Sequence, residues 1–344
     1  MLELTERQKL ILTLVIHEYS RTAQAVGSRH LVEHYRLDMS SATIRNEMSA
    51  LTDMGYLRQP HTSAGRIPSE EGYRYFVGRL IQQTDLPANI RRTISHQFYQ
   101  SPQDLEQWLR LAASVLAHQS RGASLVTAPH SEMARFKHLE LIATRGRQVL
   151  MVLVMMGGEI HQELLTLHEP VSQEQLSIAA NHITDICQGL DAENLASIHS
   201  QLNAMELDVM DVIKRAMGHS DTMVAGEVYL DGLTNVLTEP EFSGADDARG
   251  ALRLLEERSL LDNLLSRTIM TSAVGGVQVL IGGEGTWQEL RQCSMVLARY
   301  GMPGIATGTL GVLGPMRMPY GQTISTVRFI AGLLSDLVSE TLVD

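Results

Sequence analysis

The chain has 344 residues, of which 44% are hydrophobic and 19% charged, and its net charge at neutral pH is −11. This length allows two or three domains, and the composition is that of a soluble globular protein. Cys187 and Cys293 show no motif spacing, which argues against a disulfide framework or a cysteine metal site and favours a reducing cytoplasm. We expect no signal peptide. The longest wholly apolar run, residues 149–156, is far shorter than the roughly 20 residues of a membrane helix.

The charge is unevenly distributed along the chain. Residues 1–80 hold ten Lys/Arg and nine Asp/Glu, a net charge of +1, which leaves −12 for residues 81–344. Six arginines lie within residues 21–66, against four acidic residues. Because an acidic body repels nucleic acid except through its most basic face, this pattern predicts weak non-specific DNA binding and a need for a dimer.

The amino-terminal segment predicts three helices followed by a hairpin. The predicted elements are helices at residues 5–19, 29–35 and 40–54 and strands at 56–59 and 66–68. Apolar residues at helical spacing indicate the helices, with Thr5 and Ser28 as the first two N-caps. Either Ser40 or Ser41 caps the third helix.

A turn at residues 60–65 joins the two strands into a wing. Gly65 is expected to supply a positive φ there, and Gly55 to close the third helix with left-handed backbone. A further helix is predicted to start after Ser69, with acidic residues in its first turn. This order of parts is that of a winged helix-turn-helix, a DNA-binding arrangement.

Polar side chains on the third helix and the wing are the candidate DNA-binding groups. Asn46 can take an adenine edge, and Arg45 a guanine edge or a phosphate. The wing suits phosphate or minor-groove contact. The start of the second helix either binds a phosphate through free backbone amides or is a simple cap. The full candidate set is Ser28, Arg29, Ser40, Ser41, Thr43, Arg45, Asn46, Ser49, His61, Thr62, Ser63 and Arg66.

The rest of the chain mixes helices and strands. Helices are predicted at residues 88–100, 103–120, 172–217, 246–267 and 325–342, and strands at 136–143, 148–156, 159–167, 276–281, 294–300 and 309–313. The first three strands form a hairpin meander by their spacing. We expect them and the last three strands to be two halves of one sheet, split by a helical insertion.

Several possible metal, phosphate and catalytic motifs are better interpreted as ordinary structural features. His30 and His34 lie four apart on one helix, but no third metal ligand has recognisable spacing. Residues 282–285 resemble a phosphate loop but lack the Lys-Ser/Thr of a P-loop, so a tight turn is the better interpretation. There is no Gly-x-Ser-x-Gly elbow and no oriented Cys/His pair, so we predict no enzymatic activity, no metal and no cofactor.

Ten segments carry a family resemblance. They are residues 26–29, 40–48, 61–69, 72–75, 235–237, 240–242, 281–282, 293–294, 311–318 and Tyr320. In these segments the chain resembles the HrcA family of bacterial heat-inducible transcription repressors, and they span nearly the whole sequence. Family members usually have proline at the position of Ala25 and asparagine at that of Gly285.

The resemblance implies a division of the chain and a set of partners. The implied parts are a winged-helix DNA-binding domain at residues 1–85, a helical linker at 86–120, a GAF-like domain in two halves at 121–170 and 266–344, and an inserted dimerising domain at 171–265. It also implies a homodimer that binds double-stranded DNA at the inverted-repeat CIRCE operator, upstream of chaperone operons. Control would come from the GroE chaperonin, which keeps the repressor active.

We therefore predict an α+β multidomain fold and a dimeric, cytoplasmic repressor that does not contact a membrane. Two alternatives stay open. One is a winged-helix repressor that senses a small ligand through its GAF-like domain. The other is an enzyme or a pure interaction module that uses its winged helix for protein contacts.

Overall fold

A computed structural model describes residues 4–62, 64–81, 85–101, 104–130, 134–156, 159–222, 227–242, 245–269, 273–282 and 286–343. Within these ranges, no helix combines the length and apolar character needed to cross a bilayer. The amino-terminal elements are α1 (Glu6–Thr22), α2 (Ser28–Tyr35), α3 (Ser41–Asp53), β1 (Leu57–Arg58), β2 (Ile67–Pro68) and α4 (Glu70–Tyr75), which continues into a π-helical turn (Phe76–Leu80). We call the described residues up to 81 the head.

The described residues from 85 onward form the body. Its elements are α5 (Ala88–Gln100), α6 (Leu105–Ser120), β3 (Ala123–Thr127), β4 (Phe136–Ala143), β5 (Gln148–Met155), β6 (Ile160–Thr166), α7 (Gln173–Cys187), α8 (Ala204–Thr222), β7 (Val228–Asp231), α9 (Leu233–Leu237), α10 (Ala245–Glu256), α11 (Arg258–Thr268), β8 (Val277–Ile281), β9 (Cys293–Met302), β10 (Ala306–Pro315) and α12 (Tyr320–Val343).

The helix boundaries of the head follow from local capping. Thr5 and Gln8 form a reciprocal capping box at the start of α1, and Ser40 accepts the backbone N–H of Thr43 at the start of α3. Gly55 has a φ of +83°, which confirms its left-handed backbone after α3. The prediction that Ser28 caps α2 is wrong, because Gly27 is the cap residue and the buried Ser28 is already helical.

The head is built around apolar faces of its first three helices. Leu12, Leu31 and Ile44, one from each helix, have no solvent exposure. Leu51 and Leu57 extend this core from α3 into the hairpin. The inward residues of α3 are spaced three and four apart, so its remaining side chains face outward.

The body is centred on an antiparallel five-stranded sheet in the order β7-β3-β10-β9-β8. Alternate residues of β9 enter different cores. Val296 and Ala298 pack in the cluster that contains residues of α6 and α12, while Met295 and Leu297 pack in the cluster that contains residues of α10 and α11. Because both faces are covered, β9 and β10 show no alternation of buried and exposed residues.

The expectation that residues 136–167 and 276–315 share one sheet is wrong. β4, β5 and β6 form a separate antiparallel sheet, which α7 and α8 cover on one face. β3 and β7 pair directly, with Thr127 opposite Val228, so the chain leaves the five-stranded sheet after β3 and returns at β7. The inserted unit therefore lies within residues 134–222 rather than 171–265, and α10 and α11 pack on the five-stranded sheet.

Candidate DNA-binding surface

The third helix presents a polar face to solvent. Ile44, Met48 and Leu51 are buried against the head core, and this orientation leaves Arg45 and Asn46 exposed. Three further candidates on the same helix are half-buried, namely Ser41, Thr43 and Ser49. The structure thus brings the predicted α3 candidates together on one surface.

The start of α3 is held by its own cap. The hydroxyl of Ser40 accepts the backbone N–H of Thr43 at 3.1 Å and shares a 2.9 Å hydrogen bond with the hydroxyl of Thr43. An N-cap leaves other first-turn amides free, and those amides can bind an anion such as a phosphate. Ser40 and Thr43 therefore order the end of the helix as well as lining its surface.

The wing lies beside α3 and is held in place by side chains. The amide of Gln59 donates to the carbonyl oxygens of Thr62 and Ala64, each at 3.0 Å, and so shapes the turn. His61 and Thr62 are exposed, whereas the candidate Ser63 lies outside the described residues.

The half-buried Arg66 connects the wing to the third helix. Its Nε donates to the hydroxyl of Thr52 at 3.0 Å. Thr52 in turn donates to the carbonyl of Met48, so the contact reaches the backbone of α3. Arg66 therefore orients the wing relative to α3, in addition to the DNA contact predicted for it.

The prediction that Gly65 supplies a positive φ is wrong. Its φ lies outside the left-handed region, and the residue is small for a different reason. A Cβ on Gly65 would lie 2.2 Å from the carbonyl oxygen of Val26. Val26 and Arg66 exchange two backbone hydrogen bonds of 2.9 Å across this point, so Val26 extends the wing by one antiparallel bridge. Only glycine allows this close approach of two backbones.

The second helix is fixed to the first through a buried carboxylate. Glu18 is 3% exposed, and its Oε1 lies 2.8 Å from both His30 Nε2 and Arg21 Nη2. Tyr35 donates to its Oε2 at 3.3 Å. Burial alone would raise the pKa of Glu18, but the hydrogen bonds from His30 and Arg21 outweigh it and the pKa is lowered. The candidate Arg29, which precedes His30 on α2, is exposed.

We expect the Glu18→Gln variant to be less stable than wild type by about 1.5–3 kcal/mol at pH 7, since hydrogen bonds to a charged group contribute roughly this much. Because the folded-state pKa is lowered, the charged form stabilises the head fully above the ordinary carboxyl pKa. This contribution is lost as pH falls through the lowered value. Urea unfolding at pH 7 and at acidic pH measures the difference.

Glu33→Gln is the control for this experiment. Glu33 is an exposed carboxylate on α2, and its replacement should leave the unfolding free energy unchanged. A Glu18→Gln variant as stable as wild type at pH 7 would contradict the assigned contribution of the buried carboxylate.

The histidine pair and the glycine-rich loop, which the sequence did not favour as binding sites, have local structural contacts. The rings of His30 and His34 stack 5.4 Å apart, and His30 is engaged by Glu18. In the part of the chain that the structure describes, no cluster of three or more His, Cys, Asp or Glu residues could hold a metal. Of the glycine-rich loop, Gly282 has a φ of +64°, while residues 283–285 lie outside the described residues.

A cleft of about 1130 Å³ lies between the head and the body. Its walls include Ile16 and His17 of α1 and Tyr35 of α2 on one side, and Arg317 and Tyr320 on the other. This cleft could not be predicted from the sequence, because its two walls come from residues about 300 positions apart. Sequence reasoning also missed three residues that shape the candidate surface, because their roles depend on contacts between segments; they are Val26, Thr52 and Gln59.

Comparisons with known proteins agree with this architecture. Residues 106–324 match the family described as HrcA protein C terminal domain. The chain is 44% identical to the heat-inducible transcription repressor HrcA of Roseiflexus castenholzii, over 98% of this chain and 95% of that protein. It is 43% identical to the protein of the same name from Chloroflexus aurantiacus, over 98% and 94%. A solved crystal structure of a hypothetical protein shares the fold with a TM-score of 0.63 and 22% identity, covering 98% of this chain and 100% of that one.

The class of protein that this fold and surface define is an α+β transcription regulator, with its head in the element order of a winged helix-turn-helix. The chain belongs to the HrcA family, because the family match covers more than half of it and its relatives are similar over nearly the full length.

Proposed function

We propose that this protein represses heat-shock operons by binding an inverted-repeat operator of the CIRCE type as a homodimer. The observation that carries the proposal is the exposed Arg45 and Asn46 on α3, beside a wing that is held against the same helix. The names of its relatives, heat-inducible transcription repressors, support the same function.

In the proposed complex, α3 enters the major groove of each half-site. Asn46 reads an adenine edge, and Arg45 reads a guanine edge or neutralises a phosphate. His61, Thr62 and Arg66 of the wing contact the adjacent backbone. A two-fold dimer presents the same helix twice, so its operator is an inverted repeat.

The dimer contact is proposed for the outer face of the sheet β4-β5-β6. Ile142, Ile160 and Leu164 are 44%, 59% and 55% exposed, respectively. Ile142 and Leu164 both pair with Leu150, so Ile142, Leu150 and Leu164 cross the sheet in one row, and Ile160 lies on the same face opposite Val154. The opposite face is already covered by α7 and α8. The half-buried Val152 and Val154 connect this row to Ile160 along the middle strand, and apolar side chains exposed on one face in this way are typical of a protein interface.

A dimer also compensates for the charge of the protein. Residues 81–344 carry a net charge of −12 and residues 1–80 only +1, so one head alone has little electrostatic attraction for DNA. Joining two heads makes the second binding event intramolecular and raises the overall affinity. Loss of the dimer is therefore expected to release the operator.

Regulation is proposed to act through the GroE chaperonin. If the chaperonin keeps the repressor folded and dimeric, heat-damaged clients that occupy it would lower the amount of active repressor. The operons would then be expressed. This part of the proposal is supported by the family alone.

The test is binding of purified protein to an operator duplex and to a scrambled duplex, across salt concentrations, with and without chaperonin. Operator preference that rises with chaperonin is the expected result. A preference that is indifferent to chaperonin would move the regulation elsewhere. No preference for the operator by a folded dimer would contradict the proposed function.

The cleft between head and body favours one second candidate, a repressor that senses a small ligand. Its volume of about 1130 Å³ is sufficient for a metabolite. A thermal-shift screen with nucleotides and metabolites distinguishes the two, because a ligand that binds only the folded state raises the melting temperature.

A further inference from the structure

The head is packed against the body through a buried contact between tyrosines. Tyr73 of α4 is 1% exposed, and its ring lies 5.8 Å from that of Tyr320, the first residue of α12. The hydroxyl of Tyr320 donates to the carbonyl of Met316 and shares a hydrogen bond with Ser294, both at 2.7 Å. One continuous buried cluster therefore runs from the head core into the body.

Arg317 lies beside these tyrosines and connects the two parts by hydrogen bonds. Its side chain is 13% exposed, its Nε donates to Glu241 at 2.5 Å, and its Nη2 donates to Glu239. Its Nη1 donates at 3.3 Å to the carbonyl of Ser20. Ser20 lies in the last turn of α1, where carbonyl groups lack partners within the helix and the helix dipole is negative.

These contacts keep the guanidinium charged and oriented. Burial alone would lower the pKa of Arg317. The hydrogen bonds and charges of Glu241 and Glu239 together outweigh this effect, so the pKa is raised. A planar guanidinium that is held on one side by two carboxylates has a fixed direction. The hydrogen bond from Nη1 to the carbonyl of Ser20 then fixes the end of α1 relative to the body.

A second arginine connects the other side of the head. Arg74 of α4 donates to the backbone carbonyl of Ile281, at the end of β8, at 3.1 Å. Glu70 and Glu71 accept hydrogen bonds from the same guanidinium at 3.0 and 2.6 Å. Contacts at α1 and at α4, with the tyrosine pair, restrict rotation of the head about any single contact.

We propose that Arg317 is a positioning residue that fixes the orientation of the DNA-reading head on the body. In a dimer it would hold the two recognition helices at a set separation and angle. It would thereby determine which half-site spacing the protein accepts. Arg317 touches no DNA in this scheme. The inference rests on the proposed function, because spacing has meaning only for a dimer on an inverted repeat.

The test compares affinity for the operator, for the same operator with two base pairs inserted at its centre, and for a single half-site. The insertion moves the half-sites apart by about 7 Å and rotates them by about 70°, since B-DNA turns once in about 10.5 base pairs. Wild type should lose on the order of 100-fold in affinity on the lengthened operator, the size of a typical avidity gain.

Arg317→Met keeps an apolar stem and removes the donors, so the insertion should weaken its binding by less than about 10-fold. Its half-site affinity should equal that of wild type. Arg317→Lys, which keeps the charge but lacks the fork, should give an intermediate penalty. Arg74→Met tests the second contact independently if an Arg317 variant fails to fold. Arg79→Met replaces an exposed arginine of the head and is the matched control.

An Arg317→Met variant that is folded and dimeric yet keeps the full wild-type penalty would overturn the inference. So would tighter binding of that variant to the native operator, which would mean that the contact holds the heads in a non-binding arrangement. Wild type without any operator preference would contradict the proposed function itself, and the inference would fall with it.

Discussion

We expect the Asn46→Ala variant to bind the operator at least about 30-fold more weakly than wild type. A bidentate contact to a base contributes roughly 1–3 kcal/mol of discrimination, and a dimer would make this contact in both half-sites. Asn46 is exposed at the centre of the polar face of α3, so its truncation disturbs no buried contact. Fluorescence anisotropy with operator and scrambled duplexes measures the change.

Asn89→Ala is the matched control, because Asn89 is an exposed asparagine at the start of α5, outside the head. It should bind the operator as wild type does. An equal loss of affinity for operator and scrambled DNA in Asn46→Ala would contradict a base contact. Unchanged operator affinity would contradict any contact by this side chain.

The same titration separates the two roles left open for Arg45. If Arg45 contacts a phosphate, Arg45→Gln should weaken binding to all sequences alike. It should also flatten the slope of log affinity against log salt by about 0.9 for each half-site. If Arg45 reads a guanine, the loss should fall mainly on the operator and should relax the preference at one base pair.

We expect the Leu164→Glu variant to be monomeric and to lose operator affinity on the order of 100-fold or more. Leu164 is 55% exposed on the apolar face of the sheet β4-β5-β6, so the change should leave the monomer core intact. Burying a carboxylate in an apolar interface carries a large desolvation penalty, and dissociation removes the avidity of two heads. Sedimentation velocity and operator binding on the same samples measure the two effects.

Ile178→Glu provides the control. Ile178 is 63% exposed, comparable to Leu164, but it lies on α7, which packs against the opposite face of the sheet. This variant should stay dimeric and bind the operator normally. A dimeric Leu164→Glu variant at low micromolar concentration would place the dimer contact elsewhere, and a monomer with full operator affinity would contradict the need for a dimer.

The sequence by itself determined the local structure of this protein. The head helices follow from apolar residues at helical spacing and from caps such as Thr5 and Ser40, which act within one turn of the chain. The inward spacing of Ile44, Met48 and Leu51 alone decides that Arg45 and Asn46 face solvent. The meander β4-β5-β6 was likewise predictable from its short turns.

The tertiary structure decided which strands share a sheet. β3 is wholly buried and follows α6 without an alternating pattern, so the sequence did not identify it as a strand. Strand pairing joins distant segments such as β3 and β10, and periodicity within a segment contains no information about its partner. The separate sheet of the inserted unit could therefore not be distinguished from the five-stranded sheet.

Close approaches between segments were also settled only in three dimensions. Gly65 is required by the backbone of Val26, which lies 39 positions earlier, and not by its own φ. Arg317 connects Glu241 with the end of α1, almost 300 residues away. Capping and helical spacing act over a few residues and are visible in sequence. The contacts of Gly65 and Arg317 depend instead on how whole elements pack, and so only the folded chain defines them.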